Sequence, residues 1–196
     1  MIAPIVMAAF SPYLTYRDGA YIVGGFAGII CLSLLFLQPL LPAGYLAGSK
    51  GPDGRRWHRW VGVAIIVAVA LHVGGLYVTN PPDTIDALLL VSPTPFSIYG
   101  VAAMWGVVAT ALLVLFRRRL RNPTWRLVHN ALGAVVIVAT VIHALQIEGA
   151  MEPLSKWMLC TAVILSTAVA LLDLRLVRPL RARRERGPHP APHTAE

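Results

Sequence analysis

Five long apolar runs constrain this chain more than any other feature. They cover residues 20–41, 58–79, 96–116, 125–147 and 154–177. Each run is long enough to cross the hydrocarbon of a bilayer as a helix, which takes about 20 residues. Of the 196 residues only 13% are charged and 57% are apolar, which leaves too few polar groups for the surface of a soluble domain. The sequence therefore predicts an all-α, polytopic membrane bundle with about five spans.

The remaining segments are short. Residues 1–19 begin with an apolar stretch that two prolines interrupt, and we interpret it as an interfacial segment rather than a sixth span. Residues 20–178 form the predicted membrane domain. Residues 179–196 are basic and then rich in proline, a composition typical of a disordered tail. His189 and His193 lie in this tail, where low-complexity sequences often carry histidines without a role.

The charged residues between the runs orient the bundle. Segments 48–59 and 117–126 and the end of the chain carry nearly all the basic residues, whereas 79–95 holds two aspartates and no basic residue. Because basic loops stay in the cytoplasm, we expect the N-terminus outside and the C-terminus inside a plasma or inner membrane. The formal charge of +8 then reflects topology. No aromatic residues interleave with the arginines as on a nucleic-acid surface, so no nucleic-acid partner is expected.

Four of the six histidines lie in two of the runs. His58 and His72 share the second run, His129 and His143 share the fourth, and the spacing between the two histidines is the same in both runs. Over this spacing a helix rises about 21 Å and turns to within about 40° of four full turns, so both rings share one helix face. The two helices run in the same direction. Equal depth is therefore expected for His58 and His129, the inner pair, and for His72 and His143, the outer pair.

Two imidazoles that face each other suit a metal centre with its own equatorial ligands. Haem is such a group, because the porphyrin leaves two axial positions open. Zinc needs three or four protein ligands, and no cysteine or carboxylate lies at these depths. A single membrane histidine often only hydrogen-bonds between helices, but two matched pairs are costly to keep without a function. We therefore predict that the four histidines are axial ligands of two haems held between spans two and four.

This prediction suggests roles for residues near the inner pair. Four arginines lie next to the inner histidines in the sequence. They could contact the propionates of the inner haem or anchor the cytoplasmic side of the bundle, and they are Arg55, Arg56, Arg59 and Arg126. Gly62 and Gly133 each follow an inner histidine by one turn and leave room for a flat macrocycle or for helix packing. Trp125 is interpreted as an interfacial residue.

The stretches WHRWVG…H and WRLVHNALG…H resemble the ferric reductase-like transmembrane domain family, which includes ferric reductases, NADPH oxidases and the YedZ and MsrQ haem-binding subunits. The resemblance covers about residues 20–177. It implies that His58, His72, His129 and His143 bind two b-type haems, in keeping with the lack of a CxxCH attachment motif. It also implies that electrons pass from a cytoplasmic flavin donor across the membrane.

The sequence departs from the large family members in one respect. They carry an FAD- and NAD(P)H-binding module, whereas no GxGxxG motif occurs here. We therefore expect FAD or FMN only through a partner, a cytoplasmic flavin reductase or reduced flavin, with this chain as the membrane subunit of an oxidoreductase. The outer acceptor stays open between ferric iron, oxygen, a quinone and an external protein.

Two other classes compete with this interpretation. A cytochrome b561-like carrier would take electrons from quinol or ascorbate, but its histidines typically lie on four helices rather than two. A non-redox transporter or scaffold would be expected to hold acidic residues within its spans, and the apolar interiors of these spans hold none.

Overall fold

The computed structural model describes residues 2–185, and all the regular secondary structure in this part of the chain is helical. Its α-helices are α1 Ile2–Ala9, α2 Gly19–Ala43, α3 Pro52–Thr79, α4 Pro81–Leu88, α5 Pro95–Leu115, α6 Asn122–Gln146, α7 Pro153–Leu172 and α8 Arg178–Glu185. Helices α2, α3, α5 and α6 are long and apolar enough to cross a membrane, and so is α7 with its continuation to Ala182. The predicted all-helical bundle with five spans is thus confirmed, and the chain is a multi-pass membrane protein.

The helix boundaries follow from capping chemistry. Helices α3, α5, α6 and α7 each have a proline in the first turn, where the missing N–H would have had no helical partner. At the start of α2 the carboxylate of Asp18 accepts a hydrogen bond from the backbone N–H of Tyr21 at 2.8 Å, and this bond holds the pKa of Asp18 below its ordinary value. Gly44 ends α2 in the left-handed conformation, with φ 75°.

Two antiparallel hairpins and α7 make up the bundle. Helix α2 packs along α3 and α5 packs along α6, and α7 lies against α2 and α6. The buried core between them is an apolar layer whose members are Cys31, Leu32, Leu35, Ile65, Ala68, Val136, Ile137, Val141, Leu159, Cys160 and Val163. On α3 and α6 this layer occupies positions between the two histidines of each helix, so it separates the inner pair from the outer pair.

The ends of the bundle differ from the sequence predictions in detail. Helix α3 begins at Pro52, ahead of the predicted span, because its charged first turns continue the helix beyond the apolar run. Helix α1 covers only Ile2–Ala9 and rises about 12 Å, so it is too short for a sixth span.

The predicted disordered tail begins differently. A π-helical segment Asp173–Val177 leads into α8, so residues 179–185 are helical where disorder was expected. Arg178 explains this order, since its guanidinium bonds Asp173 at 2.9 Å and also donates to the carbonyl of Ala43. The remainder of the predicted tail, with His189 and His193, lies outside the described residues.

Candidate functional site

The structure brings the four membrane histidines together as the two predicted pairs. The ring centres of His58 and His129 are 6.0 Å apart, and those of His72 and His143 are 6.2 Å apart. The ring planes are nearly perpendicular, at 75° and 81° respectively. All four side chains are partly buried. Each pair joins one ring from α3 to one ring from α6, so the two hairpins face each other through these histidines.

These spacings fit a metal ion between two imidazoles. A metal–imidazole nitrogen bond is about 2 Å long, and a five-membered ring with bonds near about 1.33 Å has its centre about 1.1 Å from each ring atom. Two rings on opposite sides of one metal ion should therefore have their centres about 6.3 Å apart. The observed values of 6.0 and 6.2 Å agree with this arrangement. Direct packing of the two rings without an ion would not require the same separation in both pairs.

The donor set favours a metal that carries its own equatorial ligands. Among residues 2–185 no group of three or more histidine, cysteine, aspartate or glutamate side chains is placed to hold a metal ion. A bare zinc ion would need such a group. Haem would not, because the macrocycle supplies four of its six ligands and needs only two from the protein. The residues present at each pair thus fit haem.

Backbone carbonyls fix the ring tautomer of three histidines. The Nδ1 atom of His72 lies 2.8 Å from the carbonyl oxygen of Gly24, that of His143 lies 2.8 Å from Phe96, and that of His58 lies 2.9 Å from Gln38. A carbonyl oxygen only accepts, so each Nδ1 carries the proton and donates. Each Nε2 then keeps a lone pair and is the nitrogen available to a metal, which is the usual support for a metal-binding histidine.

His129 is held differently. Its Nδ1 is buried and has no hydrogen-bond partner among the described residues. Its ring instead stacks on the indole of Trp125, with ring centres 5.0 Å apart and planes 16° apart. The guanidinium of Arg117 lies 5.4 Å from the indole centre, a cation–π contact. The indole therefore orients His129 where the other three histidines use a carbonyl.

Gln38 holds His58 at two points. Its backbone oxygen accepts from the ring, and its side-chain Nε2 donates to the carbonyl of His58 at 3.2 Å. The Oε1 atom of Gln38 is buried and has no partner in the described part of the chain. The inner pair thus contains a buried ring nitrogen, on His129, and a buried acceptor, on Gln38, that the described residues leave unsatisfied.

The arginines predicted near the inner pair lie at the same end of the bundle. Arg55, Arg56 and Arg59 are exposed on the first turns of α3, and no described hydrogen bond or ion pair involves their side chains. Arg126 lines a cavity of about 360 Å³ together with Arg175. The guanidinium of Arg175 donates to the carbonyl of Arg126 at 3.3 Å. Contact between these arginines and a propionate stays a prediction, to which the structure adds Arg175.

The family of the chain follows from a sequence comparison. Residues 24–140, more than half of the chain, match the family described as ferric reductase like transmembrane component. The chain belongs to this family. The match includes His58, His72 and His129 and ends just before His143. No curated protein and no solved structure matched the chain.

The sequence did not identify several residues that support this site. Gly28 and Gly100 lie against the outer histidine rings. Gln38 makes two hydrogen bonds with His58, and Trp125 stacks on His129. A signal for the glycines was available in the chain. The second hairpin repeats the first at a nearly constant interval, which relates His58 to His129, His72 to His143 and Gly28 to Gly100.

Proposed function

We propose that this chain is a transmembrane cytochrome that holds two b-type haems and passes electrons from a cytoplasmic donor to an acceptor on the outer side. The observation that carries the proposal is the presence of two facing imidazole pairs in one bundle, with ring centres 6.0 and 6.2 Å apart. His58 and His129 would bind the inner haem, and His72 and His143 the outer haem. When bound, the haems supply the one-electron redox chemistry.

The chain itself would orient, space and insulate the two centres. Three carbonyl acceptors and one indole hold the imidazole rings. The helical spacing between the pairs corresponds to about 21 Å along the bundle, and the buried apolar layer fills the depth between them. This arrangement divides a membrane crossing into shorter steps and keeps water out of the middle.

Direction is proposed from charge. With the basic loops in the cytoplasm, the N-terminus lies outside a plasma or inner membrane and the chain ends in the cytoplasm. Arginines would attract an anionic donor, reduced flavin or the acidic face of a flavin reductase. Asp83 and Asp86 lie on α4 at the other end, which favours a cationic, neutral or protein acceptor. We propose residues 20–178 as the haem-binding domain, preceded by an interfacial segment in residues 1–19.

The first test is haem content. Protein expressed with an adequate haem supply and purified in detergent should contain two non-covalent haems per chain, with the reduced-minus-oxidised spectrum of a six-coordinate b-type cytochrome. A content near zero would refute the proposal. One haem per chain would refute the two-centre arrangement.

The second test is directional. In vesicles of known orientation, reduced flavin mononucleotide added to the arginine-rich face should reduce the haems faster than when it is added to the other face. The advantage should shrink with salt, since the Debye length falls from about 10 Å at 0.1 M to about 3 Å at 1 M. Charge reversal at Arg117, Arg118, Arg119 and Arg121 should remove it. Equal rates from both faces, insensitive to salt, would contradict the direction but not the haem ligands.

A further inference from the structure

For each of the three histidine rings that donate to a carbonyl, the residue four places after that carbonyl is a glycine or a proline. Gly28 follows Gly24 by four residues, Gly100 follows Phe96, and Pro42 follows Gln38. In an α-helix, residue i+4 donates its N–H to carbonyl i and lies on the same face. A side chain from another helix that bonds carbonyl i must therefore share its space with residue i+4.

The two glycines leave that space open for the outer pair. A Cβ atom placed on Gly100 would lie 2.7 Å from Cε1 and 2.8 Å from Nδ1 of His143. A Cβ atom on Gly28 would lie 3.0 Å from Nδ1 of His72. Ordinary contacts between carbon atoms are about 3.5–4.0 Å, so a methyl group at either position would push the ring off its carbonyl or force the helices apart.

Proline provides the third acceptor in another way. Pro42 lies within α2 and has no N–H to donate to the carbonyl of Gln38. That carbonyl therefore has no i+4 partner in its own helix. It accepts from Nδ1 of His58 instead.

His129 shows what happens without such a residue. His143 donates to the carbonyl of Phe96. Helices α5 and α6 are antiparallel, so a shift from His143 back to His129 on α6 is matched by a shift of the same number of residues forward from Phe96 on α5. The equivalent acceptor for His129 is thus the carbonyl of Thr110, and the residue four positions later is Val114. Valine has both an N–H and a branched side chain on that face. The Nδ1 atom of His129 has no hydrogen-bond partner among the described residues.

We propose that Gly28 and Gly100 are positioning residues that seat the outer imidazoles, and that the residue four places after each candidate carbonyl decides whether a histidine ring is bound to it. This inference rests on the proposed haem function for its readout. It assigns to the glycines a role in the rotation of the ligand rings, separate from helix packing in general. In this role the glycines act through His72 and His143, whose rings they contact.

The test compares alanine variants in the full chain. Gly100→Ala should displace His143 and cause loss of the outer haem or a shift in its low-spin EPR signal, whose anisotropy depends on the angle between the imidazole planes. Gly28→Ala should give a smaller shift, because its Cβ contact is 3.0 Å rather than 2.7 Å. The inner haem should keep its content and its EPR signal in both variants, which shows that the bundle is folded.

Two other glycines provide matched controls. A Cβ atom on Gly106 would also meet a neighbour at 2.7 Å, but that neighbour is the side chain of Val136, so Gly106→Ala strains α5 against α6 without touching a histidine. A Cβ atom on Gly25 would meet nothing within 4 Å. Both variants should keep the outer signal of the wild type.

The outcomes separate this inference from the proposed function. A wild-type chain that binds no haem refutes the proposed function. A wild-type chain with two haems and an outer signal that is unchanged in Gly100→Ala, or changed equally in Gly106→Ala, overturns the positioning role. If Gly100→Ala cannot be recovered as folded protein, Gly28→Ala decides: a shift confined to the outer haem supports the proposal, and a wild-type outer signal overturns it.

Discussion

The outer and inner histidine pairs have similar ring separations but different supports. In the outer pair both rings donate to a carbonyl of a neighbouring helix, and a glycine lies under each ring. In the inner pair only His58 has such a bond, and His129 stacks on Trp125. Carbonyls belong to the rigid helix backbone, whereas an indole is a side chain that can change its rotamer. The outer pair is therefore the better defined of the two sites.

This difference matches the position of the pairs in the bundle. The outer rings lie where α2 and α5 begin, beside helix carbonyls, whereas His129 lies near the start of α6 among arginines and the partly exposed Trp125. A buried metal-binding histidine commonly has a hydrogen-bond partner that fixes its tautomer and raises its basicity as a ligand. We expect the inner site to tolerate more rearrangement, which would suit a site that a soluble donor approaches.

Removal of a ligand should have the largest effect on this comparison. His72→Ala or His143→Ala should abolish binding of the outer haem and leave the inner one, because in the proposed function each ring is one of only two protein ligands of its haem. His58→Ala or His129→Ala should do the reverse. Haem-to-protein ratio and optical spectra of the purified variants measure both outcomes.

The tail histidines provide the control for these variants. His189→Ala and His193→Ala change residues that follow the predicted spans in the sequence, and they should leave both haems bound. Loss of the same haem in His58→Ala and His143→Ala would contradict the pairing at equal depth. It would show that the helices hold the ligands in another register.

The sequence allowed part of this site to be predicted. The identical spacing of two histidines in two apolar runs was enough to pair His58 with His129 and His72 with His143, because helix rise and rotation are nearly constant. The supports were not predicted, since a backbone carbonyl has no sequence signature of its own. The interval that relates Gly28 to Gly100 is visible in the sequence, but the contact of each glycine with a histidine ring depends on the register of its antiparallel hairpin. Trp125 was interpreted as an interfacial residue, because its contact with His129 depends on side-chain rotamers.

Trp125→Ala should have an intermediate effect that is confined to the inner pair. His129 would lose its stacking partner while its buried Nδ1 gains no partner from the described residues. Aromatic pairs contribute on the order of 0.5–1.5 kcal/mol, which corresponds to roughly a two- to tenfold loss of inner-haem affinity. Haem titration of the apoprotein measures this loss, and the EPR signal of the inner haem should broaden.

The matched variants separate stacking from membrane anchoring. Trp125→Phe keeps an aromatic face and should recover part of the affinity. Trp60→Ala removes an indole that is 60% exposed at the same end of the bundle, and it should leave both haems unchanged. Equal losses in Trp125→Ala and Trp60→Ala would mean that Trp125 acts only as an interfacial anchor.

Gln38→Leu should have the smallest effect, because leucine keeps the backbone carbonyl that bonds His58. The variant loses the bond from Nε2 to the carbonyl of His58, worth about 1 kcal/mol. It also removes the buried Oε1, which has no partner among the described residues, and an unsatisfied polar atom costs about 1–3 kcal/mol. The two changes oppose each other, so haem content should stay at the wild-type level and thermal stability should change little or rise.

Ser33→Ala is the matched control, since it removes another buried oxygen of α2 that has no hydrogen-bond partner among the described residues. A stability gain in Ser33→Ala together with loss of the inner haem in Gln38→Leu would show that the amide, and not the carbonyl, holds His58 in place.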